Sequence, residues 1–304
     1  MPLIRHIFTA TDLSDNAMHA VDRGFALAAA TGARHTLMHV LGFDALGPLR
    51  TLLGEQADAV AQRALAHQRE ALAAVAHDRA RHHGVQATLL VEPGLPASVV
   101  PAHVASTDTD LAVVGARGDG HLRRLVVGST ASRLLRQSTC PVLVVKTPCQ
   151  GPYRRVLVPV DFSPGSALTI RLARELAPQA DLVLLHVYGA PFEGMLHYAG
   201  VSPDIVHQYR IEARERALQQ LRALADKQGL GPDNCTVLVE HGDTVALVTR
   251  EQERLGCDLI AMGKHGTHVT AELLLGSITK RVLTEGDADM LVVVDKRGPE
   301  RVAR

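Results

Sequence analysis

The chain has 304 residues, about twice the length of an ordinary single domain, so two domains are expected. Lysine plus arginine and aspartate plus glutamate number 32 each, and this balance argues against a general nucleic-acid or membrane-surface role, which usually needs a cationic excess. Apolar residues make up 46%, tryptophan is absent and aromatic residues reach only 3%. Cores of Val, Leu, Ile and Ala suit parallel sheets that are covered by helices.

Cysteine usage and hydropathy indicate the compartment. The four cysteines, Cys140, Cys149, Cys235 and Cys257, are scattered and form no CxxC pair. This is typical of incidental thiols in a reducing environment. The N-terminus runs directly into a strand-like segment, and no apolar run approaches the roughly 18 residues of a membrane span. The sequence therefore predicts a cytoplasmic protein without membrane contact.

Short apolar runs alternate with helical patterns throughout the first half of the chain. Strands are predicted near 4–10, 35–41, 85–91, 110–115 and 141–146, and helices near 15–31, 55–83, 96–106 and 129–137. Ser14 is a suitable N-cap for the first helix. Such alternation indicates a parallel sheet with right-handed crossovers, so each half is predicted to be a doubly wound, Rossmann-like α/β domain of five strands.

The second half of the chain repeats the first. Residues 7–14 return as 156–163, 36–40 as 183–187, 110–115 as 258–263 and 142–145 as 291–294, with offsets of 149, 147, 148 and 149. A helix near 203–228 likewise matches the one near 55–83. Four segments in register across a whole half indicate a duplication. The predicted domains are residues 1–147 and 152–296, and so short a tether should keep them in contact.

Each predicted fourth strand is followed by the spacing G-x2-G-x9-G-S. The first copy consists of Gly115, Gly118, Gly128 and Ser129, and the second of Gly263, Gly266, Gly276 and Ser277. Glycine lets the backbone approach a polyanion closely, and a helix that begins at the serine directs free N–H groups and its positive dipole end at phosphate. One copy would be a weak signal, but two equivalent copies predict phosphate-holding loops.

The first strand of each half ends in an aspartate, Asp12 or Asp161. Open parallel sheets bind ligands at the carboxyl ends of their strands, at the topological switch point. Each carboxylate is therefore expected beside a phosphate loop, where it could accept hydrogen bonds from a base amino group or a ribose hydroxyl. An aspartate also suits a turn before a helix, so a structural role stays open.

These motifs together resemble the tandem branch of the universal stress protein family, over nearly all of residues 3–296. The resemblance is carried by both glycine motifs, both aspartates, His39-Val40, His186-Val187 and the segment 140–145. It implies an adenine-nucleotide alpha-hydrolase-like fold and ATP as the ligand, with or without Mg²⁺. The residues implied for the first site are Asp12, Val40, Gly115, Arg117, Gly118, Gly128, Ser129 and Thr130. Those implied for the second are Asp161, Val187, Gly263, His265, Gly266, Gly276, Ser277 and Thr279.

The same resemblance implies how the chain works. Family dimers pair through their last strands, so the two domains are expected to form a pseudo-dimer within one chain, and a further homodimer is plausible. Nucleotide occupancy would order the glycine loops and alter the surface presented to an unknown protein partner in a stress response. Ala10-Thr11 stands where the second half has Pro159-Val160. Such departures leave open which site binds better and allow one of them to be vacant.

Other classes of protein fit the sequence less well. No GxxxxGK[ST] motif follows a strand, which argues against a P-loop NTPase. The sixteen histidines include no HExxH or other tight ligand set, so no metal site is predicted, and His39 and His186 are expected to form local hydrogen bonds. A weak ATPase or an adenylating enzyme stays an alternative, although no base–nucleophile pair is recognisable. A partner-binding module that needs no nucleotide is the other alternative.

Overall fold

The computed structural model of the chain describes residues 2–42, 57–116, 127–188, 202–265 and 275–294. Its first half contains β1 (His6–Thr11), α1 (Asp15–Thr31), β2 (Arg34–Leu41), α2 (Ala57–Ala76), α3 (Arg79–His82), β3 (Ala87–Pro93), α4 (Pro96–Ser106), β4 (Leu111–Gly115), α5 (Ser129–Gln137) and β5 (Val142–Val145). The second half contains β6 (Arg155–Pro159), α6 (Pro164–Leu176), β7 (Asp181–Tyr188), α7 (Pro203–Lys227), β8 (Cys235–His241), α8 (Thr244–Leu255), β9 (Leu259–Gly263), α9 (Ser277–Glu285) and β10 (Asp289–Val293). None of these helices is long and apolar enough to cross a membrane.

The ten strands form one sheet in the order β3-β2-β1-β4-β5-β10-β9-β6-β7-β8. Neighbouring strands within each half are parallel. The chain winds outward from the first strand of each half in both directions, which is the topology of a doubly wound fold. The prediction of two five-stranded α/β units is confirmed. The units are joined edge to edge, because β5 pairs with β10 in antiparallel orientation.

The junction between the halves is centred on Leu143 and Leu291, which lie opposite each other. Val142 occupies the same position against β4 as Met290 does against β9. Equivalent residues of the two last strands are therefore 148 apart in the numbering. The offset of 149 predicted for this segment was wrong, since runs of valine and leucine align almost equally well in neighbouring registers. With the corrected offset Leu143 and Leu291 are equivalent residues, and equivalent residues face each other across a two-fold axis.

The long helix predicted near 55–83 is divided in two within the described residues. Asp78 begins α3 as its N-cap, with its carboxylate accepting a hydrogen bond from the backbone N–H of Ala80 at 3.0 Å. His83 ends α3 in the left-handed region, with φ 48°. The predicted pattern missed this break because an N-cap inside a periodic helical stretch leaves the hydrophobic period intact. Its counterpart α7 is continuous.

Both faces of the sheet are buried, and the core on each face crosses the junction. On one face Leu143 and Leu291 share a cluster with residues of both halves, such as Ile7 and Leu184. On the other face Val144 and Met290 belong to a second cluster of the same kind. Burial on both faces explains why the strands read as continuous apolar runs and not as alternating ones. The halves are thus packed as one hydrophobic unit.

A buried carboxylate holds the segment that links the two halves. Asp289, at the start of β10, has no exposed surface. Its Oδ1 accepts hydrogen bonds from the backbone N–H of Lys146 at 2.8 Å and of Thr147 at 3.1 Å, and from the Thr147 hydroxyl at 3.1 Å. Its Oδ2 accepts one from the Tyr153 hydroxyl at 2.7 Å. The linker is therefore tied at both ends to one side chain of the second half.

Arg23 on α1 brings the first half to the same point. Its Nε lies 3.7 Å from Asp289 Oδ2, and its guanidinium stacks 3.9 Å from the centre of the Tyr153 ring. Arg23 Nη1 donates a hydrogen bond to the carbonyl oxygen of Gly151 at 2.7 Å. Burial raises the pKa of Tyr153 well above its ordinary value, so this phenol stays a donor. The two buried charges are of opposite sign and offset each other across this distance.

Replacement of Asp289 with alanine is expected to destabilise the protein strongly. Arg23 would keep its buried charge without a counter-ion, and two linker N–H groups would lose their acceptor, at a cost of about 3–5 kcal/mol. Urea unfolding of the full chain measures this loss. Asp287→Ala, at an exposed position two residues earlier, is the control and should stay within about 0.5 kcal/mol of the parent. Equal effects of the two substitutions would contradict the assigned role.

A buried histidine lies against the first strand of the first half. His35 Nε2 lies 2.9 Å from the Thr9 hydroxyl, and the imidazole meets the Phe25 ring edge-on with 4.5 Å between centroids. A Cβ atom at Gly24 would overlap the Thr9 hydroxyl, so glycine is what allows α1 to pass this closely. Burial, with a smaller contribution from His6, lowers the pKa of His35 to about 4.

Stability is expected to fall as the pH drops from about 6.5 towards 4. In this range the unfolded chain binds a proton at His35 that the folded chain excludes, so the neutral imidazole stabilises the fold fully only above the unfolded pKa. The loss from this group amounts to about 3 kcal/mol. Denaturant unfolding across this pH range should show a shallower slope in His35→Gln than in the exposed control His67→Gln. An unchanged slope in His35→Gln would contradict the prediction.

Candidate functional site

Each half has a cavity at the carboxyl edge of its strands, beside the strand at which the winding direction reverses. The first cavity, with a volume of about 170 Å³, is lined by Ala10, Thr11, Asp12, Ala17, Met38, Val40, Pro96, Val100, Val114, Gly115, Gly128, Ser129, Thr130 and Ala131. The second, with about 460 Å³, is lined by Pro159, Val160, Asp161, Ser163, Ser166, Thr169, Leu185, His186, Val187, Thr244, Met262, Gly263, His265, Gly276, Ser277, Ile278 and Thr279. This is the place at which doubly wound sheets bind ligands.

The structure brings most of the predicted site residues together around these two cavities. Around the first are Asp12, Val40, Gly115, Gly128, Ser129 and Thr130. Around the second are Asp161, Val187, Gly263, His265, Gly276, Ser277 and Thr279. Arg117, Gly118 and Gly266 lie outside the described residues. Residues more than a hundred positions apart in the chain thus meet at one sheet edge, as the strand order requires.

The two strand-end aspartates shape the turn into the following helix. Asp12 Oδ1 accepts hydrogen bonds from the Ser14 backbone N–H at 3.1 Å and from its hydroxyl at 2.6 Å. Asp161 Oδ1 accepts from the Ser163 N–H at 3.0 Å and from the Ser166 hydroxyl at 2.9 Å. The structural role that the sequence left open is therefore present in both copies. Both side chains are exposed and also line their cavities.

A backbone hydrogen bond holds the end of the fourth strand of the second half against the start of α9. The Gly276 N–H donates to the carbonyl oxygen of Lys264 at 3.0 Å. A Cβ atom at Gly276 would come within 3.1 Å of this oxygen, and one at Gly263 within 3.1 Å of the carbonyl oxygen of His265. Glycine therefore fits at both points without displacing the neighbouring carbonyl, whereas any other residue would push it by a few tenths of an ångström. In the first half the Gly128 N–H donates to the carbonyl oxygen of Ala116 at 2.8 Å in the same way.

The N-termini of α5 and α9 face the cavities. Their N-caps are Gly128 and Gly276, and in the described part of the chain neither helix receives a side-chain N-cap hydrogen bond. The N–H groups of a first helical turn have no acceptor inside their own helix. Together with the positive end of the helix dipole, these groups favour an anion in each cavity.

The walls of the two cavities differ in polarity. Three apolar residues of the first cavity are replaced by hydroxyl-bearing residues in the second. The replacements are Ala17 by Ser166, Pro96 by Thr244 and Ala131 by Thr279, while Thr11 and Thr130 are replaced in the opposite sense by Val160 and Ile278. The Ser166 hydroxyl donates to Asp161 and the Thr279 hydroxyl to the carbonyl oxygen of Gly263, so these two oxygens offer a ligand acceptor positions. The second cavity therefore combines more polar partners with more space.

Several lining residues of the second cavity were not predicted from the sequence. They are hydroxyl-bearing or histidine side chains, namely Ser163, Ser166, Thr169, His186 and Thr244. The signal that could have found three of them is the comparison of the two repeats, because hydroxyls stand where the first half has Ala17, Ala20 and Pro96. The glycine motif predicted only the residues expected to bind phosphate.

The histidines that end the second strands form local hydrogen bonds, as predicted. His39 Nδ1 lies 3.0 Å from the carbonyl oxygen of Thr11, and His186 Nδ1 lies 2.7 Å from that of Val160. Because a carbonyl only accepts, Nδ1 carries the proton and Nε2 is left as an acceptor. In the described ranges no group of three or more His, Cys, Asp or Glu side chains is placed to hold a metal ion.

The chain is a duplicated, doubly wound α/β protein with a glycine-lined cavity at each switch point. The model of the universal stress protein family matches this chain twice, at residues 3–146 and 152–294. The chain belongs to the universal stress protein family. This family assignment agrees with the resemblance that the motifs indicated.

Individual relatives agree with this assignment. A universal stress protein of Mycolicibacterium smegmatis is 31% identical over 195 residues, which are 62% of this chain and 63% of the relative. Universal stress protein YxiE of Bacillus subtilis is 29% identical over 152 residues, which span 100% of its length and 47% of this chain. The crystal structure of a universal stress protein from Archaeoglobus fulgidus has a TM-score of 0.66 over 98% of both chains at 19% identity, which shows the shared fold.

Proposed function

We propose that this chain is an ATP-binding universal stress protein and that the second cavity is its principal nucleotide site. The observation that carries the proposal is the glycine cradle of Gly263 and Gly276, where a Cβ atom would come within 3.1 Å of a backbone carbonyl oxygen, set against the N-terminus of α9. It opens into about 460 Å³, within the range of about 300–1,000 Å³ that is typical of small-molecule sites. The first cavity, at about 170 Å³, falls below this range.

The second cavity offers partners for each part of the nucleotide. Asp161 and Val187, at the ends of β6 and β7, would receive the base and the ribose. The phosphates would meet the N–H groups of the first turn of α9 and the hydroxyl of Ser277, beside His265, and Thr279 would fix the cradle. Mg²⁺, where bound with the nucleotide, would neutralise phosphate charge. The burial of Thr279 at 4% exposure keeps its hydroxyl in a fixed position, 3.0 Å from the carbonyl oxygen of Gly263.

The first cavity is proposed as a weaker or vacant site of the same kind. It keeps the cradle at Gly128 and the helix N-terminus at Ser129, but its walls carry Ala17 and Ala131 where the second has hydroxyls. Fewer hydrogen-bond partners and less space both lower nucleotide affinity. The two sites therefore share the same backbone arrangement and differ in the side chains of their walls.

The biological role that we propose is regulatory. Nucleotide occupancy would change the surface that the chain presents to a protein partner during a stress response in the cytoplasm. The proposal also assigns residues 1–147 and 152–296 to two domains that form a pseudo-dimer, and allows a further homodimer. The gap between the two family matches and the pairing of β5 with β10 support this division.

ATP affinity is expected to fall about tenfold or more in Ser277→Glu, because a carboxylate at the first turn of α9 repels the phosphates. Glutamate suits the first turn of a helix, so the fold should be kept. Isothermal titration calorimetry with ATP and Mg²⁺ measures the affinity. Ser129→Glu, at the equivalent position of α5, is the matched control and should bind ATP with nearly the parent affinity.

Other outcomes would correct the proposal in defined ways. Loss of binding in Ser129→Glu alone would move the principal site to the first cavity, and unchanged binding in both variants would show that the placement is wrong. Absence of ATP binding, together with absence of nucleotide released on denaturation and detected by mass spectrometry, would favour the nucleotide-independent partner-binding module. Steady-state release of phosphate from ATP would favour the ATPase alternative.

A further inference from the structure

Two lysines reach across the junction and bind the ends of helices that belong to the other half. Lys264 Nζ donates to the carbonyl oxygen of Arg136 at 2.7 Å. Lys146 Nζ donates to the carbonyl oxygens of Leu283 at 2.7 Å and Gly286 at 2.6 Å. These carbonyls belong to the last turns of α5 and α9, where the negative end of the helix dipole attracts a cation. Each lysine thus completes a helix of the opposite half.

The direction of the strands explains why this contact is possible. Crossover helices run antiparallel to their strands, so α5 begins at the carboxyl edge of the first half and ends at its amino edge. Because β5 and β10 are antiparallel, the amino edge of the first half continues as the carboxyl edge of the second. The end of α5 therefore lies on the same edge as the second cavity.

Lys264 is itself part of the backbone of the second cavity. It stands between Gly263 and His265, both of which line the cavity. Its carbonyl oxygen accepts the hydrogen bond from Gly276 that positions α9, and its N–H donates to the carbonyl oxygen of Val293 at 2.7 Å. A single residue therefore stands between two lining residues of the second cavity and contacts the far end of α5 through its side chain.

The helix that Lys264 contacts leads directly to the first cavity. α5 has nine residues, and its first turn contributes Ser129, Thr130 and Ala131 to that cavity. Lys264 is only 4% exposed. A buried ammonium group that loses its acceptor carries a high energetic penalty. The Lys264 side chain and the end of α5 are therefore expected to keep their contact when either of them moves.

The crossing lysines do not come from equivalent positions of the repeat. With an offset of 148, Lys264 corresponds to Ala116 and Lys146 corresponds to Val294, neither of which can donate a side-chain hydrogen bond. Each contact therefore exists in one direction only, and the path from the second cavity to α5 through Lys264 has no mirror image. The link between the halves is therefore not a by-product of the repeat symmetry.

We propose that Lys264 couples the two cavities, so that ligand binding in the second cavity is transmitted through its side chain to α5 and to the first cavity. This inference rests on the proposed nucleotide site for its ligand. A ligand that engages the backbone of Gly263–His265 shifts or fixes Lys264, and the buried ammonium group carries this change to the carbonyl end of α5. Coupling can be carried by a chain of packed and hydrogen-bonded groups between two sites, and the lysine supplies such a contact.

The test is hydrogen exchange, followed by mass spectrometry of peptides that cover residues 127–138, in the full chain with and without saturating ATP. We expect ATP to change exchange of these α5 amides by about fivefold, the lower end of ordinary coupling between sites. In Lys264→Met, compared at an ATP concentration that saturates this variant by calorimetry, the response is lost, and in Lys264→Arg, which keeps a cationic donor, it is retained. Lys227→Met, at an exposed position on α7, is the control and responds as the parent does.

Ser277→Glu separates transmission from direct binding. With the second cavity blocked, ATP should leave the α5 amides unchanged, and a persistent response would mean that ATP acts from the first cavity and would overturn the inference. An unchanged α5 in the parent, or a full response in Lys264→Met, would overturn it as well. Should Lys264→Met fail to fold, Lys264→Gln removes the charge and takes its place. Absence of ATP binding by calorimetry would refute the proposed function instead, which keeps the two failures distinguishable.

Discussion

The antiparallel pairing of β5 with β10 determines how every other part of the chain is arranged. Strands are parallel within each half, so each half has one carboxyl edge with one cavity. Reversal of direction at Leu143 and Leu291 places the two cavities at opposite edges of the sheet. Asp289 secures the reversal, since it accepts hydrogen bonds from the chain where it leaves β5 and from Tyr153, where it approaches β6.

The same reversal makes the halves depend on each other chemically. The amino edge of one half, where helices end and their carbonyls need donors, continues as the carboxyl edge of the other, where loops project. Lys264 and Lys146 fill this need from the opposite half. A separate half would lose these donors and would also expose the apolar residues of its last strand, which are fully buried at the junction.

The sequence predicted features that are local or periodic. It located α1 at its observed bounds, and it placed the glycine motifs at the carboxyl edge because strand order follows from the alternation of strands and helices. It did not predict the cluster of Asp289, Tyr153 and Arg23, whose members are far apart in the chain and come together only through the junction. The register of β5 against β10 was missed for a similar reason, because valine-rich strands carry little register information.

The two cavities show which features of the fold are set by backbone and which by side chains. Both copies keep the hydrogen bond from the glycine N–H before α5 or α9 to the carbonyl after the fourth strand, at 2.8 Å and 3.0 Å. In the second copy the close approach of Gly276 to the Lys264 carbonyl oxygen favours glycine, whereas at wall positions the copies differ, as at Ala17 and Ser166. A cradle of N–H groups selects for negative charge, and hydroxyls in the walls select among anionic ligands. Duplication can therefore preserve the class of ligand in both halves while its affinity and identity diverge through the walls alone.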